Sequence, residues 1–197
     1  MTQQASTSAL ILAGGAGRRV GGQDKGLLPW HGKPLIEHVV ARLKPQVDNL
    51  YISCNRNFEQ YRHWADVLIP DTRENYQGPL AGIEAASPQI ESEYLIVVAC
   101  DTPVLPIDLV HRLIQPLISD TVSSSKIAYA FDGNRNQYLC AALHSSCLET
   151  LPQFLGSGQR AVRHWYKTHN AIAVDLSDEA SAFENYNYLH SKNGIHD

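Results

Sequence analysis

Residues 10–26 read LILAGGAGRRVGGQDKG, an apolar strand that leads directly into a glycine-rich loop. Glycine lets the backbone approach a ligand closely, so consecutive N–H groups can converge on anionic oxygens. Arg18, Arg19 and Lys25 place three cations in the same loop. A buried strand followed by a cationic, glycine-rich loop predicts a binding site for a polyphosphate rather than an ordinary solvated turn.

The spacing of this loop excludes two common nucleotide-binding motifs. A Walker loop has glycine before its lysine and a hydroxyl residue after it, whereas Lys25 lies between Asp24 and Gly26. The dinucleotide fingerprint G-x-G-x-x-G, started at Gly15, meets Val20 where the third glycine belongs. Neither of these two motifs therefore accounts for the loop.

The size and charge of the chain fit one domain that binds small molecules. With 197 residues, 44% of them hydrophobic, we expect a single domain over residues 1–197, with residues 1–8 flexible and residues 190–197 as a tail. The formal charge of −4 argues against a nucleic-acid partner, which normally requires a basic face. Because neither a signal-peptide pattern nor an apolar run of membrane-span length is present, we expect a cytoplasmic protein with no membrane partner.

The cysteines and histidines predict neither a disulfide nor a metal site. Cys54, Cys100, Cys140 and Cys147 lack C-x-x-C spacing, and the nine histidines lack a metal-ligand spacing. We expect the cysteines to be unpaired, buried or half-buried thiols, as is usual in a reducing compartment.

The apolar pattern predicts an α/β fold. Runs of strand length cover residues 9–13, 50–53, 67–70 and 94–99. Helical patterns lie between them, one after Pro34 over residues 35–43 and another over residues 108–118, whose last turn we expect Pro116 to disturb. This alternation predicts a three-layer, mostly parallel, Rossmann-like sheet with helices on both faces.

The pattern changes after residue 126. Apolar runs at residues 127–131 and 138–143 flank the turn Asp132-Gly133-Asn134 and predict a late antiparallel hairpin. Helical segments near residues 147–155 and 160–166 and a strand at residues 171–175 are expected to complete the sheet.

Polar residues follow the ends of the four predicted parallel strands. The loop from Gly14 follows the first strand, Ser53-Cys54-Asn55-Arg56-Asn57 follow the second, Asp71 follows the third and Asp101 the fourth. In open α/β sheets, ligands bind beyond the carboxyl ends of the strands. We therefore expect these residues to converge at one edge of the sheet.

Three motifs carry a resemblance to a known family. The first loop fits L-A-G-G-x-x-x-R-x-G-G-x-D-K-G, residues 78–82 read Gly-Pro-Leu-Ala-Gly, and residues 100–103 read Cys-Asp-Thr-Pro. Together they resemble the nucleotidyltransferases that activate a phosphate-bearing acceptor with an NTP, and most of all the molybdenum cofactor guanylyltransferases. The resemblance spans residues 10 to 187.

This resemblance implies a fold, a reaction and a set of partners. The fold would be that of the nucleotide-diphospho-sugar transferases. The reaction would transfer GMP from Mg²⁺-bound GTP to the terminal phosphate of molybdopterin or Mo-molybdopterin, with release of pyrophosphate. The family further implies a molybdenum-insertion protein, apo-molybdoenzymes and their chaperones as partners.

The candidate catalytic residues are Lys25, Arg19 and Asp101. The flexible Lys25 ammonium suits the charge that moves on to the leaving group, and the planar Arg19 fork suits the β- and γ-phosphates. Arg18 has no assigned task. Asp101 suits Mg²⁺, which takes one or two carboxylates plus phosphate oxygens, and the resemblance assigns it that role. A turn residue before Pro103 is the plainer interpretation of Asp101.

The nucleotide is expected to contact a set of residues at the ends of the first strands and in the second motif. The set comprises Leu12, Ala13, Gly14, Gly15, Lys25, Ser53, Asp71, Gly78 and Asp101. The Asp71 carboxylate could accept hydrogen bonds from guanine or the ribose, or be a plain turn residue. Ser53 replaces an asparagine that is frequent in the family. Gly78 could begin a helix whose N–H groups face an anion, or simply precede a proline at the first helical position.

The resemblance assigns the acceptor side to Gly82, Arg160, Asn185 and Asn187. A surface role is equally compatible with Arg160 and with the two asparagines. Asn187 is followed by Tyr188-Leu189 instead of the usual Thr-Pro.

Two other functions remain open at this point. One is a cytidylyl- or sugar-phosphate nucleotidyltransferase on the same fold, which the Gly-Pro-Leu-Ala-Gly motif disfavours. The other is a non-catalytic adaptor that binds a nucleotide or cofactor, which would have no need for both Lys25 and Asp101.

Overall fold

The computed structural model describes residues 5–15, 21–73, 77–119 and 124–184. The strands are β1 (Thr7–Leu12), β2 (Pro29–Trp30), β3 (Lys33–Pro34), β4 (Asn49–Ser53), β5 (Val67–Ile69), β6 (Tyr94–Ala99), β7 (Ile127–Phe131), β8 (Asn136–His144) and β9 (Ile172–Asp175). The helices are α1 (Leu35–Leu43), α2 (Phe58–Tyr61), α3 (Pro79–Ala86), α4 (Leu109–Ser119), α5 (Leu151–Gly156) and α6 (Val162–Lys167).

Seven strands form the main sheet, in the order β5-β4-β1-β6-β8-β7-β9. Strands β5, β4, β1 and β6 are parallel to one another and form the parallel half of the sheet. Strands β8, β7 and β9 form the mixed half, in which β8 is antiparallel to both β6 and β7, while β9 is parallel to β7. The predicted mostly parallel sheet with a late antiparallel hairpin is confirmed.

Both faces of the sheet are covered, as the apolar character of β1 predicts. Ala9 and Ile11 pack with α1 and α4 on one face, and Leu10 packs with α3, α5 and α6 on the other. All three side chains are fully buried. A strand buried on both faces is typical of a parallel sheet between two helical layers, and the predicted three-layer architecture is confirmed.

Helix α4 differs from its prediction at the C-terminal end. It continues through Pro116 to Ser119, so the expectation that the proline disturbs the last turn is wrong. The helix buries Leu109, Val110 and Leu113 against the sheet. Proline removes one backbone hydrogen bond from a helix, and packing of an amphipathic face compensates for such a loss.

Two further boundaries differ from the sequence-based prediction. Thr7 and Ser8 lie in β1 and are buried, so the expected flexible segment is wrong for these residues: the Thr7 N–H donates to Asp48 at 2.8 Å, and the strand pairs on both sides. The helix predicted near residues 147–155 is divided into a 3₁₀ turn at Ser145–Thr150 and α5. Pro152 lies in the first turn of α5, where proline favours a new helix start.

All four cysteines are buried and unpaired, which confirms the expectation of ordinary thiols. Within the described ranges, no helix combines the length and apolar character that crossing a membrane requires.

Candidate active site

Asn55 joins the ends of three parallel strands. It follows β4, and its amide donates to the Gly14 carbonyl after β1 at 3.1 Å and to the Asp71 carboxylate after β5 at 2.8 Å. The Asn55 carbonyl oxygen in turn accepts from the Asp71 backbone N–H at 2.8 Å. The predicted convergence of these strand ends at one edge is therefore confirmed, with Asn55 as the connecting side chain.

Ser53 faces the same cluster from the end of β4. Its hydroxyl is 3.4 Å from Asp71 Oδ1, a long hydrogen bond. The Ser53 carbonyl accepts the Ala13 N–H at 2.8 Å, which continues the strand pairing to the start of the glycine-rich loop. Asp71 is thus a half-buried carboxylate held from two sides, with both oxygens directed into the strand-end cluster.

Lys25 and Asp101 form an ion pair across the same edge. Lys25 begins a 3₁₀ turn at Lys25–Leu27, and Asp101 follows β6. Their side chains keep 25% and 17% of their exposure, so the pair is partly buried but remains open to solvent. Such a pair gives a cation and a carboxylate that a charged ligand can reach without disturbing the core.

Asp24, next to Lys25, is buried, and its carboxylate interacts with other side chains of the protein. Only 5% of its side chain is exposed. Its carboxylate accepts hydrogen bonds from the Tyr61 hydroxyl and from the Asn57 amide at 3.0 Å, and the Arg56 guanidinium lies 3.7 Å away. A buried charge needs such partners, because an unpaired one costs several kcal/mol.

The second motif forms the start of α3. Gly78 has φ +88°, a conformation that favours glycine, and Pro79 is the first helical residue. Gly82 lies one turn further on, where an added Cβ would be 2.7 Å from Ser53 Oγ and 3.1 Å from Leu12 Cδ2. Glycine at this position allows α3 to pack closely against the ends of β1 and β4, which is a structural reason for the residue that does not depend on an acceptor.

Arg160 lies beside the start of α3, although it comes from the segment between α5 and α6. Its Nε donates to Gln77 Oε1 at 2.7 Å, and its Nη1 donates to the carbonyls of Leu155 and Gln159 at the same distance. Among the other predicted site residues, Leu12 and Gly15 lie at the end of β1, with open space around Gly15. Arg18, Arg19, Asn185 and Asn187 lie outside the described residues.

Burial raises the pKa values of three groups that lie near the ends of the strands. Burial, followed by the negative charges of Asp24 and Asp71, raises the pKa of the Cys54 thiol to about 12. Burial and the neighbouring Asp101 raise the pKa of the Cys100 thiol as well. Burial and its hydrogen bond to Asp24 raise the pKa of the Tyr61 hydroxyl. A raised pKa disfavours the thiolate or phenolate, which is the nucleophilic form.

Several connecting residues were not predicted from the sequence. For Asn55, Arg56 and Asn57, the sequence predicts only that they follow a strand. It predicts no task for Asp24 or Tyr61. One signal was available: Asp24 lies inside the first motif, next to Lys25. No comparable signal marks Tyr61, because its partner is 37 residues away in the chain.

No group of three or more histidine, cysteine or acidic side chains within residues 5–15, 21–73, 77–119 and 124–184 could hold a metal ion by itself.

The site combines a glycine-rich loop, one lysine and one carboxylate at the carboxyl edge of a mostly parallel sheet. This arrangement and fold define the class of α/β nucleotidyltransferases.

Comparison with known proteins identifies the family. Residues 9–172 match the family of the MobA-like NTP transferase domain. A molybdenum cofactor guanylyltransferase from Shewanella pealeana is 41% identical over 183 residues, which cover 93% of this chain and 90% of the relative. Its counterpart from Shewanella sediminis is 41% identical over 179 residues, with 91% and 90% coverage. The chain belongs to the molybdenum cofactor guanylyltransferase family and is a nucleotidyltransferase of molybdenum cofactor biosynthesis.

Solved structures agree with the fold. The molybdopterin-guanine dinucleotide biosynthesis protein A of Archaeoglobus fulgidus superposes with a TM-score of 0.74 at 22% identity, covering 91% of this chain and 92% of that one. The 2-C-methyl-D-erythritol 4-phosphate cytidylyltransferase of Francisella tularensis gives a TM-score of 0.70 at 13% identity, with 96% and 99% coverage. At these identities the likeness shows the fold and leaves the choice of nucleotide base to other evidence.

Proposed function

We propose that this enzyme transfers GMP from Mg²⁺-bound GTP to the terminal phosphate of molybdopterin or Mo-molybdopterin, releasing pyrophosphate. The observation that carries the proposal is the Lys25–Asp101 pair, beside the Asn55–Asp71 cluster, at the carboxyl edge of the sheet. The names of the relatives from Shewanella support guanylyl transfer.

The reaction exchanges one phosphorus–oxygen bond for another. An oxygen of the acceptor's terminal phosphate attacks the α-phosphorus of GTP, the bond to the β-phosphate breaks, and pyrophosphate leaves with the electron pair. Because the acceptor supplies its own anionic nucleophile, the enzyme needs no activated side chain. Its task is to align the two phosphates and to neutralise the charge that develops.

Lys25 supplies a cation for that charge. Its ammonium is a mobile point charge on a flexible stem, so it can exchange Asp101 for the phosphates and follow the charge as pyrophosphate leaves. Arg19 is proposed as a second contact to the β- and γ-phosphates, on the grounds of its place in the first motif. The backbone of Leu12, Ala13, Gly14 and Gly15 would line the nucleotide.

Asp101 fits a magnesium ligand by the chemistry of its donor atoms. It offers a partly exposed carboxylate, and Mg²⁺ commonly takes only one or two protein carboxylates together with phosphate oxygens and water. The absence of a larger acidic cluster among the described residues is compatible with this mode. When bound there, the ion would neutralise phosphate charge and orient the phosphates.

Asp71 is the proposed acceptor for guanine or the ribose. Guanine presents N1–H and an exocyclic amine, which a carboxylate can accept together. Asn55 and Ser53 hold the Asp71 carboxylate in place, and each carboxylate oxygen has lone pairs beyond the one these contacts use. Ser53 and Gly78 complete the proposed nucleotide contacts.

The acceptor is proposed to bind beside the start of α3. Arg160 and Gly82 are the candidate contacts among the described residues, and Asn185 and Asn187 are candidates outside them. The hydrogen bonds of Arg160 to Gln77 and to two carbonyls would fix the direction of its guanidinium. The product would pass to apo-molybdoenzymes, with a molybdenum-insertion protein and chaperones as further partners.

The test is to incubate the protein with Mg²⁺, molybdopterin and either GTP or CTP and to measure pyrophosphate. We expect release with GTP that depends on molybdopterin, and little with CTP. Release with CTP or with a sugar phosphate as acceptor, and none with GTP, would contradict guanylyl transfer. Binding of GTP without pyrophosphate release under any of these conditions would instead support the adaptor interpretation.

A further inference from the structure

Side chains in the loop after β4 hydrogen-bond to both described limbs of the glycine-rich loop, the first at residues 14–15 and the second at residues 21–26. Asn55 reaches the first limb through the Gly14 carbonyl. Arg56 reaches the second limb, donating to the carbonyls of Gly22 at 2.7 Å and Gln23 at 2.9 Å. Neither of these two backbone acceptors lies in a helix or strand, so the guanidinium replaces the regular backbone pairing that this limb lacks.

Asp24 continues the same set of contacts into the protein interior. Asn57 and Tyr61 hydrogen-bond to its two carboxylate oxygens, and Arg56 balances its charge. Asn57 has φ +56°, a conformation that asparagine tolerates better than most residues, and it lies directly before α2. Tyr61 ends α2 and is fully buried.

Gly26 is also limited by Tyr61. A Cβ on Gly26 would lie 2.5 Å from the Tyr61 hydroxyl oxygen, which is shorter than any ordinary contact. The same hydroxyl therefore touches the residues on both sides of Lys25, the carboxylate of Asp24 before it and the backbone of Gly26 after it. The Lys25 side chain itself forms an ion pair with Asp101.

We propose that Tyr61, Asp24 and Arg56 are positioning residues, a loop anchor that fixes the backbone of residues 22–26 so that the Lys25 ammonium is held beside Asp101. None of the three is assigned contact with a substrate. The anchor rests on the proposed function only in that Lys25 serves the phosphates, and it acts through Lys25 alone.

The first test asks whether the anchor fixes the loop. Tyr61→Phe removes the hydroxyl and keeps the buried ring, and Tyr51→Phe is the matched control, because the Tyr51 hydroxyl donates to the Gln89 carbonyl at 3.1 Å, away from the loop. Loss of a hydrogen bond to a charged group should increase backbone hydrogen exchange in residues 21–28 about tenfold. Exchange in residues 21–28 should stay unchanged in Tyr51→Phe. Equal exchange in both variants would overturn the proposal.

The second test asks whether the anchor acts through Lys25. Inorganic pyrophosphate with Mg²⁺ is the probe, because it is a product of every nucleotidyl transfer whatever the base. Calorimetry should show about tenfold weaker binding in Tyr61→Phe than in the wild-type protein. In a Lys25→Met background, Tyr61→Phe should cause no further loss. The same loss in both backgrounds would show a general structural role and overturn the proposal.

The two tests separate this proposal from the proposed function. Failure of the wild-type protein to bind pyrophosphate would contradict the proposed function, and the anchor would then stand or fall by the exchange comparison. Normal pyrophosphate binding with no effect of Tyr61→Phe would leave the proposed function intact and refute the anchor.

Discussion

The parallel half and the mixed half of the sheet use side chains for different purposes. At the carboxyl edge of the parallel half, side chains hydrogen-bond to loop backbone: Asn55 holds Gly14, and Arg56 holds Gly22 and Gln23. In the mixed half, aromatic side chains pack on one another, as Tyr129 does on Tyr138 and Tyr166 with ring centroids 4.9 and 6.0 Å away.

This difference distinguishes the parallel half, which carries the candidate site, from the mixed half, which stabilises the fold. A loop whose backbone is not hydrogen-bonded in a sheet depends on particular side chains for its shape. A substitution of one of these side chains therefore alters the site. A cluster of packed rings distributes its contacts over many atoms, so a polar change at its surface has little effect. We therefore expect substitutions in the parallel half to change activity or close packing, and matched ones in the mixed half to change little.

The largest expected effect is that of Lys25→Met. The substitution removes the Lys25 ammonium and keeps the length of the side chain. Turnover of GTP should therefore fall about a thousandfold, in line with the loss of a single charge-stabilising donor. Lys126→Met, at an exposed position directly before β7, is the matched control and should keep wild-type turnover. Pyrophosphate release measures both. Comparable rates for the two variants would remove Lys25 from the mechanism.

Gly82→Ala should have the next largest effect, on stability. The added Cβ must displace Ser53 Oγ and Leu12 Cδ2, and overpacking of this kind costs about 1–3 kcal/mol of the free energy of unfolding. Gly156→Ala in α5 is the control, since nothing lies within 4 Å of its added Cβ. Urea denaturation should show a loss for the first variant and no loss for the second. Equal stabilities would show that α3 can move away from β1 at no cost.

Asn55→Asp should raise the KM for GTP about tenfold. The new carboxylate cannot donate to Gly14 or Asp71, and it repels the Asp71 carboxylate that Asn55 now holds. Asn136→Asp, at the exposed start of β8, makes the same chemical change in the mixed half, where Asn136 donates to the Tyr138 hydroxyl. Steady-state kinetics should show a normal KM for this control. A raised KM in both variants would point to net charge rather than to the strand-end cluster.

The sequence predicts which segments form strands better than it predicts where each strand begins, for physical reasons. Buried parallel strands are nearly continuous apolar runs with a turn at each end, so β1, β4, β5 and β6 are evident from local pattern. Strand β8 begins at Asn136, two residues before its predicted start, because Tyr138 and its neighbours are only half buried and lack a clear alternation. Helix α4 passes through Pro116 because tertiary packing outweighs the local preference.

The position of a candidate site residue was predictable where the residue belongs to a local motif, and not where it depends on a distant partner. Lys25, Asp71 and Asp101 follow strands or belong to motifs, and the structure brings each of them to the same edge. The importance of Asn55 and Tyr61 lies in contacts across 41 and 37 residues of chain. Such contacts become visible only once the topology has placed β4 beside β1.

The smallest expected effect belongs to Asp132, in the turn between β7 and β8. Burial alone would raise the pKa of its carboxyl group, but hydrogen bonds from the Arg135 and Asn134 N–H groups and the Gln137 amide together lower it below 3.8.

A carboxyl group whose pKa is lower in the folded state contributes stability above its unfolded pKa and loses it as the pH falls through the folded value. Asp132→Asn should therefore lower the free energy of unfolding at pH 7 by less than about 1 kcal/mol, because the group is only partly buried and water screens its charge. The difference between the variant and the wild-type protein should shrink as the pH falls below about 4. Urea denaturation at pH 7, 5 and 3.5 measures it, and a difference independent of pH would show that the turn needs the two acceptor oxygens of the side chain rather than its charge.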